Sequence, residues 1–355
     1  MGPRITPAYN SIGLQSGRSS HALAQFMDQT YSPKQAFVHK FAIATLLFNL
    51  GIILGGAMVR ATGSGAGCGK NWPLCDGVIV PGFKSLHQMI EFGHRSMVGV
   101  GIIVVFLLWL ATARAFPKHH PARKAAFWSG IFTFTESLVG ASIVLMRWVA
   151  ADKSVQRAFA DSAHLVNTLT LIGTLSLCIW WSANRAICRV SFKGKIGWIL
   201  ATALVLVSLV GATGALTALA DTLFPPGSTS EIGQSVSISA HYLKKVRVIH
   251  PMMATLTGIM CFLTAAAAVS ARPSDQVKNL AFGVSAFVVF QVCLGFANLF
   301  LLAPLPLQLA HLLVADGLWI TLIFLVVATL SVAAEPRLAS SNPAANHPHF
   351  QGGLP

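Results

Sequence analysis

The run Glu91-Phe-Gly-His94-Arg95 stands directly before an apolar stretch, residues 96–113, that is long enough to enter a lipid bilayer as a helix. Residues three apart lie on the same face of a helix. The carboxylate of Glu91 and the imidazole of His94 are therefore predicted to face one space at the mouth of a membrane helix. An ionisable pair in that position is costly to desolvate and needs a metal, a cofactor or a counter-charge. The stretch predicts a membrane helix with a partnered ionisable pair at its mouth.

A two-cysteine loop, Cys68-Gly-Lys-Asn-Trp-Pro-Leu-Cys75, precedes this run. A bridge across so short a loop is feasible, and the compartment outside the cytoplasm permits disulfides. The spacing favours a structural staple. A redox-active or docking pair beside a cofactor stays open as the alternative. A tetrahedral zinc site is not indicated, because the loop holds no second pair of ligands.

The composition excludes an ordinary soluble domain. The chain has 355 residues, of which 54% are hydrophobic and only 10% are charged, and its mean hydropathy is +0.66. Soluble domains carry about 25% charged residues. The net charge of +14 does not indicate nucleic acid, because the basic residues form short clusters between apolar runs. Such clusters are typical of topology signals and of contacts with anionic membrane lipid.

Eight apolar segments are predicted to span the membrane as helices, which gives an all-α polytopic fold. They cover residues 41–60, 94–114, 126–147, 162–182, 197–219, 249–270, 280–302 and 311–333.

The lysines and arginines predict the orientation. With both termini in the cytoplasm, fifteen of the 25 basic residues fall inside and ten fall outside, as the positive-inside rule expects. Three of the outer ones, Arg60, Arg95 and Arg247, stand at predicted helix ends, which suggests a specific role for them.

The chain repeats itself. His94 and His250 open similar segments and are 156 residues apart, and His164 and His311 are 147 residues apart. The economical interpretation is a four-helix unit that occurs twice, with both copies running in the same direction. The predicted division is a disordered cytoplasmic tail, an N-terminal bundle, a cytoplasmic linker, a C-terminal bundle and a second disordered tail, over residues 1–38, 39–184, 185–195, 196–334 and 335–355.

All four of these histidines are predicted at one depth, at the outer end of the even-numbered segments. Two imidazoles that face each other across a four-helix bundle can hold haem iron. A bare metal such as copper or zinc is the alternative, weakened because three of the four histidines have no carboxylate or thiolate beside them.

Other polar residues give weaker predictions. Glu136 and Asp316 fall deep inside apolar segments, so each is expected to face a bundle interior and to join helices by polar contacts. His119 and His120 lie in a basic inner loop and are expected to be solvated.

Several motifs together resemble the haem A synthase family. They are Arg60-Ala-Thr-Gly-Ser-Gly-Ala-Gly-Cys68, Trp72-Pro-Leu-Cys75, Glu91-x-x-His94-Arg95, and the run Gly214-Ala-Leu-Thr-Ala-Leu-Ala-Asp-Thr-Leu-Phe-Pro225 followed by His250-Pro. The resemblance covers about residues 40–333. It implies eight membrane helices in two pseudo-symmetric four-helix bundles. It also implies oxidation of a ring methyl of haem O to a formyl group, which gives haem A for cytochrome oxidase.

The resemblance assigns roles to individual residues. His94 and His164 match the axial pair for the substrate haem O, and His250 and His311 match the pair that holds a haem b. Glu91 matches the catalytic glutamate.

Cys68 and Cys75 match the family's outer-loop cysteine pair. Arg60, Arg95 and Arg247 are candidates for contacts with haem propionates, which guanidinium groups bind well. The implied partners are haem O, haem A, a haem O synthase and cytochrome oxidase assembly factors. The implied location is the bacterial cytoplasmic membrane, with the haem sites toward its outer face.

Two other functions stay open. The chain is alternatively a di-haem b-type cytochrome that only transfers electrons, or a transporter or haem-handling protein built on the same repeat. Arg247 stands where Glu91 would be in the second half, three residues before the histidine. Electron transfer alone requires neither this asymmetry nor the cysteine loop.

Overall fold

A computed structural model describes residues 32–183, 188–233, 237 and 239–333 of the chain. Its eight long helices are α1 Pro33–Ala61, α2 Leu86–Ala115, α3 Pro121–Leu145, α4 Val155–Ser182, α5 Gly194–Leu223, α6 Tyr242–Ala271, α7 Asp275–Phe300 and α8 Leu305–Leu330. All eight are long and apolar enough to cross a membrane. The predicted all-helical, eight-span class is thereby confirmed.

Short elements lie between these helices. A 3₁₀ turn covers Ser64–Ala66 and a helical turn covers Thr229–Gly233. Strand β1, Cys188–Val190, pairs antiparallel with β2, Ser331–Ala333. This pairing ties the connection between α4 and α5 to the segment that follows α8. Residues 1–31 and 334–355, which hold most of both predicted tails, lie outside the described part of the chain.

Several helices begin earlier than their apolar segments, because a serine caps the first turn. The hydroxyl of Ser32 accepts from the Gln35 amide, and the Gln35 side chain accepts from the Ser32 amide, which completes a capping box. Ser85 caps α2 and Ser154 caps α4 in the simpler way. As a result, α1 starts within the predicted tail, and Glu91 lies inside α2 rather than at its mouth.

Each half of the described chain closes into a ring of four helices. In the first half α1 packs on α2, α2 on α3, α3 on α4, and α4 back on α1. The second half repeats this order with α5, α6, α7 and α8. The helices that carry His94 and His164 are thus diagonal partners in the first ring. Those that carry His250 and His311 are diagonal partners in the second.

The two rings meet along α1 and α4 on one side and α5 and α8 on the other. The indole N–H of Trp319, on α8, donates to the carbonyl of Leu169 on α4 at 2.6 Å. Gly173 leaves room for this indole, because a Cβ there would lie 3.4 Å from its Nε1. The second half therefore packs directly against the first.

One inner-face prediction is wrong. His119 is exposed, but the adjacent His120 is only 9% exposed. It caps α3, because its Nδ1 accepts from the Ala122 amide at 3.2 Å, and its ring stacks on Phe116 with centroids 4.4 Å apart. Since capping needs an unprotonated Nδ1 and burial disfavours charge, the pKa of His120 is lowered to about 4.

Candidate functional site

Each of the four predicted ligand histidines faces a glycine on the preceding helix of its ring. A Cβ on that glycine would meet the histidine Cε1 at short range. The distances are 3.1 Å for Gly56 and His94, 3.8 Å for Gly140 and His164, 3.1 Å for Gly214 and His250, and 3.5 Å for Gly295 and His311. Gly56 and Gly214 therefore make space for the rings of His94 and His250, whereas at Gly140 and Gly295 a Cβ would be at ordinary contact distance. The same arrangement in both halves supports the internal repeat predicted from the sequence.

The histidines also associate in the predicted pairs. His94 and His164 are close enough to interact electrostatically, and so are His250 and His311. Each pair comes from diagonally placed helices, so the two rings approach from opposite sides of a bundle. Such an arrangement suits a ligand that accepts one imidazole on each face.

The surroundings of Nδ1 indicate which ring nitrogen is available to a ligand. The Nδ1 atoms of His94 and His311 are buried without a hydrogen-bond partner among the described residues. The Nδ1 of His250 lies 3.1 Å from the Thr213 hydroxyl. The Nδ1 of His164 faces a carboxylate described below. In His164 and His250 these neighbours leave Nε2 as the nitrogen available to haem iron. In His311 the Nε2 contacts Gln291, and Nδ1 is the nitrogen without a partner in the described part of the chain.

A bare-metal centre gains no support from the geometry. Across the described ranges, no group of three or more histidine, cysteine, aspartate or glutamate side chains converges on one point. Structural and catalytic zinc sites use three or four such protein ligands, whereas haem needs only the axial ones.

Glu91 is buried beside the cysteine loop. It is 2% exposed. Its Oε2 accepts from the backbone amide of Cys68 at 2.8 Å, and its Oε1 is paired with the Arg95 guanidinium. Both oxygens are therefore held, and the carboxylate has a fixed position and a counter-charge.

The disulfide predicted from the loop is present and links Cys68 to Cys75. Both cysteines are essentially inaccessible, at 0% and 1% exposure. Arg95 also donates to the carbonyls of Asn71 and Leu74, at 2.7 and 2.8 Å. The bridge and the arginine thus clamp the loop on α2 and present the Cys68 amide to Glu91. This geometry favours the structural staple over an exposed, exchanging pair.

The position of Glu91 is taken in the second half by a cation with different partners. Arg247 is 6% exposed and donates to the Asp221 carboxylate at 2.7 Å and to the carbonyls of Ala220 and Phe224. The two halves therefore differ in charge at matching positions beside their first histidines.

Arg60 joins the two halves. It leaves the end of α1 and donates to the carbonyl of Ala218 at 2.5 Å, to the hydroxyl of Thr222 at 2.8 Å and to the side chain of Gln308 at 3.1 Å. These partners lie on α5 and α8. The predicted propionate contacts of the three arginines stay a prediction, and all three guanidinium groups already have protein partners.

The structure gives Glu136 more than the helix-joining role expected from the sequence. Its carboxylate, on α3, lies 3.1 Å from the Nδ1 of His164 on α4, and Thr168 and Asn167 donate to it. Glu136 stands four residues before Gly140, about one helical turn. The sequence alone does not show that this turn faces His164, because that depends on how α3 packs on α4.

Asp316 does not form the expected helix-joining contact through Oδ2. The residue is 1% exposed, and no hydrogen bond to that oxygen is found in the described part of the chain.

Comparison with protein families gives one match. The model of the family COX15-CtaA, described as cytochrome oxidase assembly protein, matches residues 39–323. The matched region contains most of all eight helices, both histidine pairs, Glu91 and the cysteine loop. The resemblance recognised in the sequence is thereby confirmed for most of the chain.

Individual relatives fall into two groups. The chain is 40% identical over 296 residues to a protein of Thermus thermophilus named protoheme IX farnesyltransferase. That match covers 83% of this chain but 49% of the relative, so the chain spans about half the length of that protein. The chain is also 39% identical over 111 residues to proteins of Bacillus mycoides and Bacillus cereus named heme A synthase, which covers 31% of this chain and 36% of theirs.

Proposed function

The chain belongs to the family of cytochrome oxidase assembly proteins that it matches from residue 39 to residue 323, and from that membership we propose that it is a haem A synthase. The proposed reaction oxidises a ring methyl of haem O to a formyl group. The shared name of the Bacillus relatives supports this activity, and so do the paired histidines in each bundle.

The observation that carries the proposal is the difference between the two halves. Three residues before His94, the first half places a buried carboxylate, Glu91, whose two oxygens are held by the Cys68 amide and by Arg95. The second half places Arg247 at the matching position. A protein that only passed electrons between two equivalent haems would need no such difference. We therefore assign the reaction to the first half.

In this proposal His94 and His164 hold the substrate haem O from opposite sides. Converting a methyl group to a formyl group removes electrons and protons and adds an oxygen atom, and haem supplies the redox chemistry when it is bound. The chain contributes position and charge. Because both oxygens of Glu91 are held in advance, its carboxylate can stabilise positive charge that develops beside it without reorganising.

The second half is proposed to hold a haem b through His250 and His311 and to carry electrons away from the first. The contact of the halves along α1, α4, α5 and α8 supports this relay. Trp319 and Arg60 cross the boundary. The two bundles are further proposed to be related by a pseudo-twofold axis along the membrane normal.

The proposed location is the bacterial cytoplasmic membrane, with both termini in the cytoplasm and the haem sites toward the outer face. The excess of basic residues on the side of the termini supports this orientation. The proposed partners are a haem O synthase that delivers the substrate and assembly factors of cytochrome oxidase that receive haem A.

The name of the Thermus relatives raises the question of farnesyl transfer. We assign that activity to the part of those proteins that this chain does not match. The match covers 49% of that relative, so about half of its length lies outside the match.

The test is production of haem A by the purified full-length protein from cells that also make haem O, with every extracted haem identified by mass. Glu91→Gln keeps the size of the side chain and removes its charge. It is expected to retain both haems and to lose haem A formation by at least tenfold. Asp275→Asn, which changes an exposed carboxylate at the inner end of α7, is the control and is expected to behave like the wild type.

Two outcomes would overturn the proposal. If Glu91→Gln makes haem A at the wild-type rate, Glu91 is not the catalytic residue. If the wild-type protein returns haem b alone in the presence of haem O, the chain is a di-haem cytochrome that only transfers electrons.

A further inference from the structure

The carboxylate of Glu136 lies next to the Nδ1 of His164, a predicted haem ligand. Its Oε1 lies 3.1 Å from the Nδ1 of His164. The two atoms are within ion-pair distance, although Nδ1 makes no hydrogen bond in the described part of the chain. Neither Glu136 nor this contact belongs to the reaction assigned to Glu91.

The edge of the His164 ring that carries Nε2 is not covered by a bulky side chain. Its Nδ1 is buried, while 32% of the side chain as a whole is accessible. A Cβ on Gly140 would lie 3.8 Å from both Cε1 and Nε2, so the ring edge opposite Glu136 faces a glycine rather than a bulky side chain. Glu136 therefore occupies one ring nitrogen and leaves the other for iron.

The matching position in the second half carries a neutral side chain. Glu136 stands four residues before Gly140, which faces His164. Gln291 stands four residues before Gly295, which faces His311. Gln291 contacts the Nε2 of His311 at 3.1 Å. The two halves thus place a carboxylate and an amide at matching sequence positions, although Glu136 lies next to the Nδ1 of its histidine and Gln291 contacts the Nε2.

We propose that Glu136 is a positioning residue that holds His164 through Nδ1, directs its Nε2 to iron and lowers the reduction potential of the haem in the first half. The proposal rests on the assignment of His94 and His164 as axial ligands, but it does not require that haem A be formed.

The physical reason is the charge. A carboxylate hydrogen-bonded to a ligating imidazole fixes the orientation of the ring and raises its basicity. A more basic ligand and a nearby negative charge both stabilise ferric over ferrous iron, and hydrogen bonding around the axial ligand is one of the ways in which proteins set haem potentials. An amide such as Gln291 carries no charge and lacks this effect.

A purely structural role for Glu136 is the competing explanation. Asn167 donates to it at 2.5 Å and Thr168 also donates to it, so it joins α3 to α4. The two bonds are made to different carboxylate oxygens. Glutamine in its place can accept from Asn167 through its carbonyl oxygen and can donate to the hydroxyl of Thr168 through its amide. Glu136→Gln therefore removes the charge and preserves the link between the helices, which separates the two explanations.

The experiment is a potentiometric titration of the purified, haem-loaded full-length protein, followed by optical and electron paramagnetic resonance spectra of both haems. Glu136→Gln is expected to shift the midpoint of the first-half haem upward and to change its ferric spectrum, while the other haem keeps its midpoint. His311→Ala, which removes an axial ligand of the second half, identifies which midpoint belongs to which half.

An unchanged first-half midpoint in Glu136→Gln, with both haems bound, would overturn the proposal. Should that variant fail to fold, Glu136→Asp provides a second test, because it keeps the charge and withdraws the carboxylate from the Nδ1 of His164. A changed ferric spectrum of the first-half haem in this variant supports the proposal, and an unchanged spectrum contradicts it. The midpoint is measurable whether or not the wild type makes haem A, so failure of the proposed synthase activity is distinguishable from failure of this inference.

Discussion

Replacing Gly56 with alanine is expected to weaken haem binding in the first bundle alone. The new Cβ would lie 3.1 Å from the Cε1 and 3.4 Å from the Nε2 of His94. Because carbon atoms pack best at about 3.5–4.0 Å, the ring or the helix must move by roughly 0.5 Å. Bonds between a metal and its ligands tolerate deviations of only about 0.2 Å.

The size of the effect follows from this overlap. Overpacking a well-packed site costs roughly 1–3 kcal/mol. Since each 1.4 kcal/mol is a factor of about ten, the affinity for the first haem is expected to fall roughly five- to 150-fold. Helix propensity acts in the opposite direction, because alanine in a helix interior is favoured over glycine by about 1 kcal/mol. This gain offsets part of the overpacking cost, so the haem-free protein is expected to lose at most about 2 kcal/mol of stability.

The assay is the haem content and haem affinity of the purified protein in detergent, measured optically for each site. Two controls share the same substitution. Gly93→Ala places a methyl group in open space beside His94, and Gly140→Ala places one at ordinary contact distance, 3.8 Å, from His164. Both are expected to keep the first haem. Wild-type affinity for this haem in Gly56→Ala would refute the argument that glycine makes room for the ring.

The remaining predictions concern the Cys68–Cys75 loop and His120, which caps α3. The Cys68–Cys75 bridge is buried, so thiol reductants are expected to leave it intact in the folded protein, and ready reduction seen by thiol alkylation would contradict this. Cys75→Ser is expected to keep both haems but to slow haem A formation, because the Cys68 amide no longer holds Glu91 firmly. The pKa of His120 is lowered to about 4, so His120 contributes stability that is present above the unfolded pKa of about 6.5 and is lost as the pH falls from there toward 4. His120→Asn, which keeps a capping side chain, is expected to flatten the pH dependence of thermal unfolding in that range, and an unaltered slope would contradict the assignment.

Much of the fold followed from local patterns. Apolar runs about as long as the bilayer is thick predicted eight helices, because lipid demands that every backbone hydrogen bond be made within the segment. The repeated histidine motifs predicted two similar halves. The boundaries were less accurate, since caps such as Ser32 and Ser85 extend helices into polar sequence that a hydropathy pattern does not include.

The charged and titratable residues were harder to interpret. His120 was expected to be solvated because its neighbours in sequence are basic, yet its environment is set by the Phe116 ring and the end of α3. Glu136 was recognised as costly in lipid, but its contact with His164 depends on how α3 packs on α4. Neither environment is encoded in the residues next to them in the chain.

The sequence by itself predicted the class of the protein, its family and the disulfide, because apolar runs, motifs and a short cysteine spacing depend on residue type along the chain. The pairing of the histidines was a prediction from the internal repeat and from the family resemblance. Only the tertiary structure decided which glycine faces each histidine, which groups hold Glu91, and that Arg60 joins the two halves while Glu136 supports His164. These contacts connect residues up to 248 positions apart. Side-chain contacts at such separations are decided by the packing of one helix on another, which a pattern along one helix does not specify.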